Sequence, residues 1–120
     1  AMIHAGADMF VREVYQEGAP EHQLFLLNTD GQLKEKGTPV AEYDIAGPLC
    51  FAGDYLGKGV ALPEIEEGDY LMVSDVGGNT FALWSRHCSR AFPKVVEIAE
   101  DNVQVIKPRE SMAHIQSFWG

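Results

Sequence analysis

Cys50 is the side chain with the clearest claim to chemistry. It lies in Gly47-Pro48-Leu49-Cys50-Phe51-Ala52-Gly53-Asp54, where a thiol flanked by Gly47 and Gly53 can face a cleft without burying the backbone beside it. By residue type alone a lone cysteine is most often a small buried apolar side chain. Cys88 directly follows His87, but sequence neighbours on a strand point to opposite faces, which disfavours a thiolate–imidazole pair. The four histidines, His4, His22, His87 and His114, are scattered singly. No Cys/His pair has metal-ligand spacing, so no metal site is expected. Gly57-Lys58 fails as a phosphate loop: Gly59 stands where Ser or Thr is needed, and no helix follows. Glu64, Glu66, Glu67 and Asp69 lack calcium-loop spacing and read as a solvated turn.

The elements that must position these residues are short and mostly extended. Val40 to Ile45 alternates, with Tyr43 and Ile45 on one face and Glu42 and Asp44 on the other, the period of a half-buried strand. Pro48 removes a backbone donor and stops that ladder, so Cys50 falls on a turn just past the strand end. Before it, Met2 to Gly6 resembles the tail of a strand whose beginning lies outside the sequence. Ala7 to Tyr15 has helical spacing, and Gly18-Ala19-Pro20 breaks it. Leu24 to Leu27 is apolar on both faces, a buried strand, and Asn28-Thr29-Asp30-Gly31 is turn chemistry.

Lys34 to Thr38 reads as a solvated link, Asp54 to Leu62 as a glycine-punctuated stretch, and Tyr70 to Ser74 as a strand closed by the loop Asp75-Val76-Gly77-Gly78-Asn79. Phe81 to Trp84 is ambiguous. Lys94 to Ile98 and Val103 to Ile106 flank Glu100-Asp101-Asn102 as a β-hairpin. Met112, Ile115 and Trp119 follow at three- and four-residue spacing, predicting a terminal helix that packs one apolar side. Five or six strands with short turns predict an all-β, Greek-key-like sandwich or barrel, with a helical turn near the start and a C-terminal helix.

Composition narrows the partners. The 120 residues read as one domain, 46% hydrophobic and 22% charged, as in an ordinary globular chain. Nine Lys+Arg against 18 Asp+Glu give a net charge of −9, a surface that repels phosphate backbones and anionic lipid. Nucleic acid and membranes are therefore poor partners, and no apolar run is long enough to span a bilayer. Two cysteines make no disulfide framework, which favours free thiols in a reducing compartment such as the cytoplasm (or a plastid stroma).

At Ala46-Gly47-Pro48-Leu49-Cys50 with Gly53-Asp54, the chain resembles the pyridoxal-phosphate-dependent decarboxylases of diaminopimelate, ornithine and arginine, in their C-terminal β domain. The likeness is collinear over nearly all of 1–120. It takes in Ala5-Gly6 through Arg12 and Tyr15, Leu62-Pro63-Glu64, Gly68-Asp69-Tyr70-Leu71, Asp75-Val76-Gly77, Ser89-Arg90 and Arg109-Glu110-Ser111. Diaminopimelate decarboxylases, enzymes of lysine biosynthesis, are the most similar members.

The resemblance implies a partial active site in a homodimer, whose pyridoxal phosphate is held on a lysine of a separate barrel domain. Cys50 would reach across the dimer to return a proton to the substrate's α-carbon after CO₂ leaves, a task that suits a mostly protonated thiol. Arg12 and Tyr15 correspond to the pair that holds the distal carboxylate of the amino-acid substrate. Here Glu13 replaces the usual proline, and the spacing is one residue shorter. Phe51 and Asp54 would also face substrate, and Gly78 and Asn79 the cofactor phosphate. Two positions depart from the family: Phe51 stands where an acidic residue grips the distal amine, and Asn79 stands where a tyrosine lies beside the phosphate. The later Tyr-Asn pair is His87-Cys88.

The 120 residues hold no barrel, so by themselves they are not expected to decarboxylate anything. The resemblance implies a piece of a longer enzyme whose surface toward the barrel and the partner subunit is bare. The alternative is a non-catalytic, regulatory or structural β domain of a decarboxylase paralogue, which the altered Phe51 and Asn79 would suit.

Overall fold

The computed structural model describes residues 1–19, 21–35, 40–78, 80–100 and 102–120, with the backbone alone at Phe81. They fall into two compact units, Ala1–Ser85 and Arg86–Gly120. Both are built on antiparallel strands, and among the described residues each carries one short α-helix and one 3-10 turn.

In the first unit, β1 (Leu24–Leu27) pairs antiparallel with β4 (Tyr70–Val73), setting Leu24 opposite Val73 and Leu26 opposite Leu71. β2 (Val40–Ala46) pairs antiparallel with β3 (Tyr55–Pro63). The alternation in β2 is realised as expected: Ile45 is fully buried, Tyr43 half-buried, and Glu42 and Asp44 exposed. Ala7, Phe10, Leu26 and Leu62 are buried with Ile45. The start of the chain leans on β2 through a parallel bridge between Met2 and Ala46, with the Ile3 amide donating to the Ala46 carbonyl. The turn after β1 takes the expected form, with Gly31 at φ 78° and the Asn28 side chain accepting the Asp30 and Gln32 amides.

The nine-residue β3 is the longest strand, and it falls where the sequence showed only glycines. The register of β2 against β3 shifts on either side of Ile45, and Gly59 takes φ 62° while donating its amide to Asp44 Oδ1 at 3.0 Å. Those glycines serve an irregular ladder, not a loop: Gly59 supplies the positive φ, and at Gly57 a Cβ would run into the Val60 side chain. Residues 36–39 of the expected link, Pro20 of the expected helix break and Asp101 of the expected hairpin turn lie outside the described residues.

In the second unit, β5 (Val95–Ala99) and β6 (Asn102–Lys107) form the expected hairpin. α2 (Met112–Trp119) follows, entered through Ser111, whose amide donates to His114 Nδ1 at 3.0 Å. The predicted apolar stripe of α2 is only partly used: Ile115 is buried, whereas Met112 and Trp119 are exposed. The architecture is the expected sheet fold with a helical turn at the start and a helix at the end. Among the described residues the strands form three antiparallel pairs, and no closed barrel is made.

Candidate functional site

The loop that carries Cys50 is built on a buried carboxylate. Asp54 is 4% exposed. Its Oδ1 accepts the Ala7 amide at 2.6 Å and its Oδ2 the Leu49 amide at 2.7 Å. Its own backbone closes the loop, accepting from Gly47 N at 2.8 Å and donating to the Phe51 carbonyl at 3.0 Å. Gly6 and Gly47 are required for this closeness, since a Cβ at either position would run into the Asp54 carboxylate. β2 ends at Ala46, the chain bends through Pro48, Leu49 and Cys50, and the thiol is left exposed. Asp54, expected at the substrate, thus spends both oxygens on backbone amides.

α1 (Val11–Tyr15) supplies the next group. Arg12 and Tyr15 share one side of this single turn, and with Val11, Gln16 and Leu83 they line an open cleft of about 480 Å³. Arg12 Nε donates to Gln16 Oε1 at 3.1 Å. The Tyr15 ring stacks on Phe51, centroids 5.5 Å apart and planes 16° from parallel. Four residues named from the sequence, Arg12, Tyr15, Phe51 and Cys50, are therefore brought to one region: two by the helix face, one by the stack, one as its chain neighbour. Gly78 sits in an exposed turn with nothing within 4 Å of where its Cβ would be. Asn79 lies outside the described residues.

The opposite side of α1 holds a pair that the sequence did not announce. Glu13 Oε1 meets His22 Nε2 at 3.0 Å, with the two side chains 13% and 10% exposed. The His22 ring in turn stands edge-on to Phe10 at 5.7 Å. Nine residues separate the partners, and no local pattern links a helix carboxylate to a loop histidine. The acidic turn is exposed as expected at Glu64, Glu66 and Glu67, whereas the Asp69 side chain is only 3% exposed. Lys34 Nζ binds Asp69 Oδ2 at 2.6 Å, Glu66 Oε2 at 2.9 Å and the Glu64 carbonyl at 3.2 Å. Burial pushes the Asp69 carboxyl up, but the Lys34 ammonium and the Glu66 amide leave it below its usual value; the same contacts raise Lys34. In the second unit, Arg86 grips Glu110 with both Nη atoms, at 2.9 and 2.8 Å. Those bonds, with the Phe92 amide, hold the Glu110 carboxyl down at about 2.

Neither Cys50 nor Cys88 takes part in a disulfide. Among the described residues no helix is long and apolar enough to cross a membrane.

Comparison with known proteins gives a consistent picture. A family model described as the pyridoxal-dependent decarboxylase, C-terminal sheet domain, matches residues 1–77. The chain is 37% identical over 113 residues to a diaminopimelate decarboxylase of Helicobacter pylori J99, covering 92% of this chain and 26% of that protein. It is 33% identical over 109 residues to the diaminopimelate decarboxylase of Archaeoglobus fulgidus, covering 91% and 24%. A crystal structure of a diaminopimelate decarboxylase superposes with a TM-score of 0.86 at 26% identity, over 98% of this chain and 29% of that one. That of the M. jannaschii enzyme in complex with L-lysine gives 0.77 at 27% identity, over 98% and 25%. The chain spans roughly a quarter of the length of these curated relatives.

Proposed function

Because the chain belongs to the C-terminal sheet domain family of the pyridoxal-dependent decarboxylases, we propose that it completes the active site of a diaminopimelate-decarboxylase-like enzyme from outside the cofactor domain. The observation that carries this reading is the Asp54-anchored loop, which presents an exposed Cys50 beside the Phe51–Tyr15 stack and the Arg12 cleft.

In this reading each residue has a distinct task. Cys50 Sγ holds the proton that goes to the substrate's α-carbon once CO₂ has left. Arg12 binds the distal carboxylate of an amino-acid substrate, as its forked guanidinium allows, and Tyr15 and Phe51 form the wall beside it. Asp54 acts from behind, fixing where the loop puts Cys50. Gly78 and Asn79 border the cofactor phosphate.

The family's pyridoxal group supplies the electron sink for decarboxylation, but this chain does not by itself fit it. The cleft is lined by no lysine. Lys34 is bound by three oxygens, and Lys58 and Lys107 lie over the rings of Tyr55 and Phe92. In this reading the lysine that holds the group belongs to the rest of the enzyme, and Cys50 works in a site shared between subunits of a cytoplasmic homodimer. Exposed apolar side chains such as Ile98, Val103 and Trp119 support an assembled state.

The test is CO₂ release by the full-length parent, loaded with pyridoxal phosphate, on diaminopimelate, lysine, ornithine and arginine. Turnover that falls by about 10²–10⁴-fold in Cys50→Ala supports the acid role. No release from any substrate by the unaltered enzyme would replace this reading with a non-catalytic sheet domain.

A further inference from the structure

We infer that Phe51, beyond its place in the wall, is a positioning residue for Cys50: its stack on Tyr15 ties the loop that carries the thiol to α1. This rests on the reading of Cys50 as the proton donor. Both chain neighbours of Cys50 are anchored. On one side the Leu49 amide donates to Asp54 Oδ2 at 2.7 Å, and Asp54 Oδ1 takes the Ala7 amide at 2.6 Å, just ahead of α1. On the other side the Phe51 carbonyl accepts the Asp54 amide at 3.0 Å, and the Phe51 ring lies on Tyr15, in α1 itself. The thiol is therefore carried between two ties that lead to the same short segment, 7–15.

The Phe51 ring has a built place. It is half-buried between the exposed Cys50 and Ala52. The ring folds back over Gly53, where a Cβ would collide with it, so it is confined by the loop's own backbone as well as by Tyr15. With centroids 5.5 Å apart and planes 16° from parallel, the two rings make a stacked pair. A side chain just past a strand end has several staggered positions open to it. Fixing the backbone on both sides of Cys50 narrows where Sγ can go, and a proton donor works only within hydrogen-bond reach of its acceptor. An aliphatic residue at position 51 would keep the carbonyl tie and lose the ring's.

The test has two arms. In the full-length parent loaded with pyridoxal phosphate, CO₂ release is compared for Phe51→Leu, which removes the stack, and Phe51→Tyr, which keeps it. Phe51→Leu should lower kcat about tenfold with KM little changed, and Phe51→Tyr should retain the original rate. In a Cys50→Ala background Phe51→Leu should cost nothing further, because no thiol is left to misplace. An equal loss in both backgrounds, a rise in KM alone, or no change at all overturns the inference. The second arm needs no activity: in the 120-residue chain, Hα–Hβ couplings of Cys50 report its χ1. One rotamer should prevail in the unaltered chain and in Phe51→Tyr, and Phe51→Leu should average it while amide exchange in β2 and β3 stays the same. Averaging in the unaltered chain, or in the variant only together with faster exchange throughout β2 and β3, also overturns it. A parent that releases no CO₂ while χ1 follows the residue at 51 sinks the enzymatic reading alone.

Discussion

The Asp54 carboxylate accepts the amide of Ala7, 47 positions earlier in the chain, at 2.6 Å. One side chain thereby ties the segment leading into α1 to the loop that carries Cys50, and both halves of the candidate site depend on it.

Asp54→Ala leaves the buried Ala7 amide and the part-buried Leu49 amide without their acceptor. The expected cost is about 3 kcal/mol of stability, since each stranded buried donor costs about 1–3 kcal/mol. Gly47→Ala should destabilise comparably, because its methyl group would overlap the same carboxylate. Chemical denaturation of the two variants checks this; midpoints unchanged from the parent sequence would show that the loop is held by something else.

Glu110 gives the second unit a defined acid response. Its folded pKa of about 2 lies below the ordinary 4.5. The stabilisation is therefore whole above about 4.5 and is lost as the pH falls from there toward 2. With screening allowed for, the Arg86 pair contributes on the order of 1–2 kcal/mol. Glu110→Gln should cost that much near neutral pH and almost nothing at the acid end of the window. Amide exchange across 86–120 in both proteins at the two pH values measures it, and a deficit that persists at low pH would refute the assignment.

Much of the sheet was legible because alternation survives in sequence. Tyr43 and Ile45 against Glu42 and Asp44 predict the face that β2 buries, and the β5–β6 hairpin follows from two β-branched runs around a turn. β3 was not legible, since Gly57 and Gly59 resemble loop residues until their places in a bulged ladder are known. The α2 stripe predicted more burial than Ile115 alone provides, because periodicity shows which side of a helix is apolar but not what covers it. At the candidate site, Cys50 could be singled out from its place past a strand end, and Arg12, Tyr15 and Phe51 only through the family resemblance. The position of Asp54 behind the loop, and the Glu13–His22 pair, arise only from tertiary contact.

That pair yields its own expectation. Glu13 and His22 are mostly buried and 3.0 Å apart, and they fix α1 on the side away from the cleft. A double-mutant cycle with Glu13→Gln and His22→Ala should show a coupling of about 1–2 kcal/mol. Either single change should also speed exchange of the α1 amides, which would loosen Arg12 and Tyr15 without touching them. Additive effects with unchanged α1 exchange would reduce the pair to an incidental contact.

The β5–β6 hairpin makes the last prediction. Val96 lies opposite Val105, and Ile98 opposite Val103. Residues two apart on a strand share a face, so these four side chains form one apolar patch, with Ile98 73% and Val103 64% exposed. A patch of this kind favours association, because each buried apolar contact removes surface from water. Sedimentation velocity over a wide concentration range should show the chain moving to larger species as it is concentrated. Ile98→Lys with Val103→Lys should shift that transition to at least about tenfold higher concentration, since two charges would have to be desolvated at the contact. The substitutions lie on exposed strand positions, so thermal unfolding should stay close to that of the unaltered chain and separate lost association from lost fold. A strictly monomeric profile of the unaltered chain at high concentration would remove the patch as an interface.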